Sequence, residues 1–117
     1  MIVLVCGGRE YNNENFLFTT LDAVDNISEI VHGGCRGADA LASRYSQQKN
    51  IKEIIFIANW KLFGKSAGPR RNELMAQYLL STGLDCCIIA FAGGIGTSHM
   101  ISVGNKYDIK VQDMRGE

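Results

Sequence analysis

The run Ile2-Val3-Leu4-Val5-Cys6 carries no polar residue and ends in two glycines. Successive strand residues point to opposite faces, so this run needs apolar cover on both sides. A strand in a parallel sheet clothed by helices meets that condition. The same theme recurs along the chain. Strands are expected over Ile27–His32, Lys52–Ala58, Asp85–Phe91 and Ile109–Val111. Helices are expected over Asn12–Asp25, Arg36–Lys49, Pro69–Leu80 and Gly96–Tyr107, from spacings such as Phe16, Leu17, Leu21 and Val24. The alternation predicts one α/β domain over all 117 residues, with a five-stranded, mainly parallel sheet and helices on both faces. Asn59–Gly68 reads as an irregular connection, longer than usual between a strand and a helix.

Three predicted strand ends run into glycine-rich turns, and in a parallel sheet these lie along one edge. The first is Gly7-Gly8-Arg9, the second Gly33-Gly34-Cys35-Arg36-Gly37-Ala38-Asp39, the third Gly93-Gly94-Ile95-Gly96-Thr97. The second and third open helices, whose unpaired N–H groups attract anions. Thr97 adds a hydroxyl, Arg36 a cation, and Asp39 a helix cap, a partner for ribose hydroxyls or a partner for an arginine. The connection before the third helix and the start of that helix offer Trp60, Lys65, Arg71 and Asn72. Trp60 either stacks on a base or anchors its loop. The guanidinium of Arg71 suits phosphate oxygens.

Charge is balanced, twelve basic residues against twelve acidic, so no overall field draws the chain to nucleic acid or an anionic membrane. Yet Arg9, Arg36, Lys61, Lys65, Arg70 and Arg71 all fall in strand-end connections. Cationic charge concentrated locally fits a small anion rather than a polymer. No apolar run is long enough to span a bilayer, and the N-terminus reads as a strand rather than a signal peptide. Cys6, Cys35, Cys86 and Cys87 have no metal-ligand spacing, which leaves reduced thiols in a cytoplasmic protein as the expectation, with no metal and no resident cofactor.

Other motifs fail on position. Gly64-Lys65-Ser66 resembles the end of a P-loop, but Asn59 stands where its first glycine is required. Gly94-x-Gly96 lacks the third glycine of a dinucleotide fingerprint, because His99 stands there. His99 reads as structural or rim-forming. His32, ending a strand, reads as a packing residue or a ligand contact.

Taken together, several segments resemble the YspA-like branch of the SLOG superfamily. They are Val5-Cys6-Gly7-Gly8-Arg9-x-Tyr11, His32-Gly33-Gly34-Cys35-Arg36-Gly37-Ala38-Asp39, Ala58-x-Trp60, Gly64-Lys65-x-Ala67-Gly68-Pro69-x-Arg71-Asn72-x-x-Met75 and Ala90-Phe91-x-Gly93-Gly94-x-Gly96-Thr97-x-x-Met100. The resemblance implies a Rossmann-like domain that holds phosphate at Gly93–Thr97, with Arg9, Gly33–Asp39 and Arg71-Asn72 lining the same pocket. It also implies self-association. Phosphoribohydrolases of the superfamily carry a catalytic glutamate three residues after the threonine, and here that residue is Met100. The proline that usually precedes the double glycine is Ala92. A thioether cannot take up a proton as a carboxylate does. The expectation is therefore a binder of a nucleotide-derived signalling molecule, a sensor or a sequestering protein that could oppose nucleotide-signalled antiviral immunity. The alternative is an N-glycosidase acting on nucleoside monophosphates, with Asp39 or Glu73 supplying the carboxylate.

Overall fold

Strand β1 (Ile2–Cys6) is buried along its whole length at the centre of a five-stranded sheet. The computed structural model describes residues 1–117. The sheet also holds β2 (Glu29–His32), β3 (Lys52–Ile55), β4 (Cys86–Ala90) and β5 (Lys110–Asp113), in the order β3-β2-β1-β4-β5. Every pairing is parallel. The five strands and the order of the main helices follow the sequence expectation, with shifted boundaries. β3 stops at Ile55 because β2 ends at His32. Only the Phe56 N–H still reaches the His32 carbonyl, at 2.9 Å.

Helices α1 (Glu14–Asp22) and α2 (Ala38–Gln48) cover one face. Leu17, Leu21, Ala38, Ala42 and Tyr45 pack there on Val3, Val5, Ile30, Cys87, Ile89 and Phe91. On the other face lie α4 (Ala67–Ser81) and α5 (Ile95–Lys106). They set Met75, Ala76, Leu79, Met100 and Val103 against Ile2, Leu4, Cys6, Val31, Ile88 and Ala90. Alternation along β1 and β4 thus feeds two separate cores, and burying both faces is what the apolar runs demand. No helix is long and apolar enough to cross a membrane.

The segment after β3 corrects the expectation of an irregular loop. Trp60–Phe63 forms a one-turn helix, α3, started by Asn59, whose Oδ1 accepts the Leu62 N–H at 3.0 Å. A 3₁₀ turn over Gly64–Ser66 then leads into α4. Four-residue elements are too short to show a helical period, so the sequence pattern could not reveal them.

The connections from β1 build the sheet toward β2 and β3, whereas β4 and β5 lie on the opposite side of β1. The turns leaving β1 and β4 therefore diverge to opposite faces. Such a switch point leaves a crevice at the carboxyl ends of the two strands, the usual ligand position in an open α/β sheet.

Candidate functional site

A cavity of about 560 Å³ occupies that crevice. Its size is that of a small-molecule site. The β1 turn, the β2–α2 turn, α3, the first turns of α4 and the first turns of α5 form its walls. Met75 and Met100, both buried, line it along with Cys6. The Cys6 thiol is pushed up to about 12, chiefly by burial and then by Asp39, so it is not a nucleophile at neutral pH.

The mouth of α5 faces this space. No side chain caps it, and its first backbone bond runs from the Ser98 N–H to the Gly94 carbonyl at 3.1 Å. The amides of Ile95, Gly96 and Thr97 precede that bond and have no helical acceptor. A Cβ placed on Gly96 would meet nothing within 4 Å, so packing within the protein does not demand glycine there. Gly93 is different. A Cβ on it would strike the Thr97 hydroxyl and lie 2.6 Å from the Gly8 nitrogen. It lets the β4 turn lie against the β1 turn, where the Gly8 N–H donates to the Ala92 carbonyl at 2.9 Å.

Arg71 and Asn72, early in α4, reach across the cavity. Arg71 donates from a terminal nitrogen to the Gly33 carbonyl at 3.0 Å and from Nε to Asn72 Oδ1 at 3.0 Å. Asn72 is buried, and its Nδ2 lies 3.4 Å from the Gly96 carbonyl and 3.0 Å from His99 Nδ1. One arginine–asparagine pair thus links the β2–α2 turn to the α5 mouth.

The α2 mouth departs from the expectation. Its first amide, Ala38 N–H, donates to the Gly8 carbonyl at 3.2 Å, and the Cys35 N–H donates to Asp39 Oδ2 at 3.1 Å. The β1 turn therefore takes the first amide of this helix, and Asp39 holds the turn that leads into it. Burial raises the Asp39 carboxyl above its ordinary value of 3.8, against the opposing pull of the Cys35 amide, His32 and Arg71. Between 3.8 and the higher folded value, the native state keeps a proton that the unfolded chain has released. Asp39 therefore makes stability fall as pH rises through that window. Urea titrations between pH 3 and 8 should show the parent losing stability relative to Asp39→Asn across it. Parallel curves would contradict the shift.

Among the residues expected at the site, Gly7, Gly8, Arg9, Gly33, Asp39, Trp60, Lys65, Arg71, Asn72, Gly94, Gly96 and Thr97 line the cavity. Arg9 lies over the Trp60 ring, 5.6 Å from its centroid, and a Cβ on Gly68 would sit 3.2 Å from the same indole. Gly34, Arg36 and Gly93 do not line it. Arg36 is drawn into an exposed ion pair with Glu10. Gly34 faces Ile55 and Ile57, and Gly93 is occupied by the turn packing just described. His32 is buried, accepts the Gly34 N–H on Nδ1 at 3.0 Å and meets Glu53 through Nε2 at 2.6 Å, which makes it a support for the turn. Glu73 is held by Lys106 and by the Tyr107 hydroxyl at 2.8 Å, away from the cavity. His99 does line the cavity. Its position three residues after Gly96, on the same side of α5, was the available signal.

None of the three lining cations, Arg9, Lys65 and Arg71, forms an ion pair, although six of the other basic side chains do. Asp39 is the one carboxylate in the lining. A parallel sheet in this order, with an open helix mouth and unpaired cations at its switch point, defines a Rossmann-like domain with a cation-lined crevice. Residues 1–63 match the family described as YspA, cpYpsA-related SLOG, and the chain belongs to that family. It is also 31% identical over 122 residues to the Gene 61 protein of Mycobacterium phage D29, an alignment covering 93% of this chain and 92% of the phage protein. Membership points to a nucleotide-related binding domain.

Proposed function

We propose that the chain binds a nucleotide or a nucleotide-derived signalling molecule, such as an ADP-ribose derivative or a cyclic oligonucleotide, and releases it unchanged. It acts as a sensor or as a sequestering protein, and in the second role it opposes nucleotide-signalled immunity. The observation that carries this reading is the set of three lining cations without carboxylate partners, facing the uncapped mouth of α5. Phosphate takes the amides and Arg71. The half-exposed indole of Trp60 offers a face for a base. Binding without turnover rests on Met100, buried where hydrolytic relatives place their glutamate, and on Glu73, which Lys106 and Tyr107 hold.

Calorimetry and thermal shift with a panel of AMP, ADP-ribose, cyclic dinucleotides and adenosine test the proposal. At least one phosphorylated member should raise the melting temperature, and adenosine should not. Failure of every member to bind, with no nucleotide released from the native protein on denaturation, would overturn it. Asp39 supports a second reading, because it is buried and faces the cavity. An N-glycosidase would release free base from nucleoside monophosphates, and Asp39→Asn would stop the release. Intact nucleotide after prolonged incubation excludes that activity.

A further inference from the structure

Hydrogen-bond polarity around Asn72 settles which of its ends faces which neighbour. Arg71 Nε can only donate, so the Asn72 atom 3.0 Å from it is the oxygen. The Gly96 carbonyl can only accept, so the atom facing it is the amide nitrogen. Two independent partners thus demand the same orientation. That amide nitrogen also faces His99 Nδ1 at 3.0 Å, which makes Nδ1 an acceptor. His99 must then carry its ring proton on Nε2.

Helix geometry places that N–H usefully. Side chains lean toward the N-terminus of their helix, so the His99 ring lies back over the first turn of α5. Gly96, three residues earlier, has no side chain to cover it, and both residues line the cavity. The imidazole, the open amides and the Arg71 guanidinium therefore border one volume.

We propose that His99 is a ligand contact, donating its Nε2–H to the anionic group at the α5 mouth. Asn72 is the positioning residue that holds both His99 and Arg71 in their donor orientations. The inference rests on the nucleotide reading above and gives a ligand contact to a residue read from sequence only as structural or rim-forming. It also explains why a buried asparagine follows Arg71. A single side-chain amide sets the guanidinium plane with its oxygen and the imidazole tautomer with its nitrogen.

The test uses AMP and adenosine as calorimetric probes, with nitrogen NMR of the His99 ring. His99→Ala should weaken AMP about tenfold, the usual scale for one hydrogen bond to a charged group, while adenosine, which lacks the phosphate, serves as the control that binds neither protein. His99→Gln, which restores an N–H donor, should recover most of the loss. The parent ring should carry its proton on Nε2. Asn72→Asp, which sets a carboxylate oxygen against Nδ1, should move the proton to Nδ1 and weaken AMP. If the parent binds AMP and His99→Ala binds it equally well, this inference falls and the nucleotide reading stands. If the parent does not bind AMP, the contact falls together with AMP as a ligand. A parent ring protonated on Nδ1, or a tautomer unchanged by Asn72→Asp, removes the positioning role of Asn72 whatever the binding result.

Discussion

Gly96→Val should weaken nucleotide binding by at least about 100-fold while leaving unfolding free energy within about 0.5 kcal/mol of the parent. The two halves of this result have separate causes. A Cβ at position 96 meets no protein atom within 4 Å, and valine suits a helix somewhat better than glycine. A Cβ there therefore meets no neighbouring element. The added methyl groups enter the cavity beside the open amides of α5, where an anion must come within hydrogen-bond distance. Losing two charge-assisted bonds at about 1.5 kcal/mol each already reaches the stated factor. Calorimetric titration paired with urea unfolding reads both halves. Unimpaired binding by a well-folded Gly96→Val protein would show that the ligand approaches elsewhere.

The largest stability effect is expected at Gly37. This residue caps α2 with φ 79° and ψ −129°, a conformation that costs any L side chain about 1–3 kcal/mol. A Cβ there would also strike the Gly8 carbonyl oxygen and lie 2.6 Å from Arg9 backbone atoms. Relief requires moving the β1 turn, which adds about 1–3 kcal/mol more. Gly37→Ala should therefore destabilise by about 2–6 kcal/mol and lower the melting temperature by roughly 8–24 °C. Gly64 supplies the control, because it has φ 56° and ψ −133° but open space around its Cβ. Gly64→Ala should cost only the backbone share, about 1–3 kcal/mol. Equal losses at the two positions would mean that the clash at Gly37 is relieved freely.

The sheet was legible because each central strand is an apolar run closed by a glycine turn, and that signal is local. The α5 mouth was legible for the same reason, since Gly94, Gly96 and Thr97 announce a tight strand-to-helix turn within a few residues. Arg71 and Asn72 came from a spaced motif rather than from periodicity. What escaped depends on neighbours distant in sequence. Nothing near Arg36 says that Glu10 will draw it away, and nothing in the α2 turn says that the Gly8 carbonyl will occupy the first amide of α2. His99 reads as structural or rim-forming, and it does line the cavity, but its hydrogen-bond partner was not legible. The partner that orients its ring, Asn72, arrives from α4, twenty-seven residues away along the chain.

The crevice separates two stretches of polypeptide that the sheet joins through the β1–β4 pairing. The turns after β1 and β2 contribute one bank, and α4 and α5 contribute the other. A guest lodged between them works as a rivet across this seam. A nucleotide bound as proposed would touch both stretches, so its binding free energy would add to the stability of the domain as a whole.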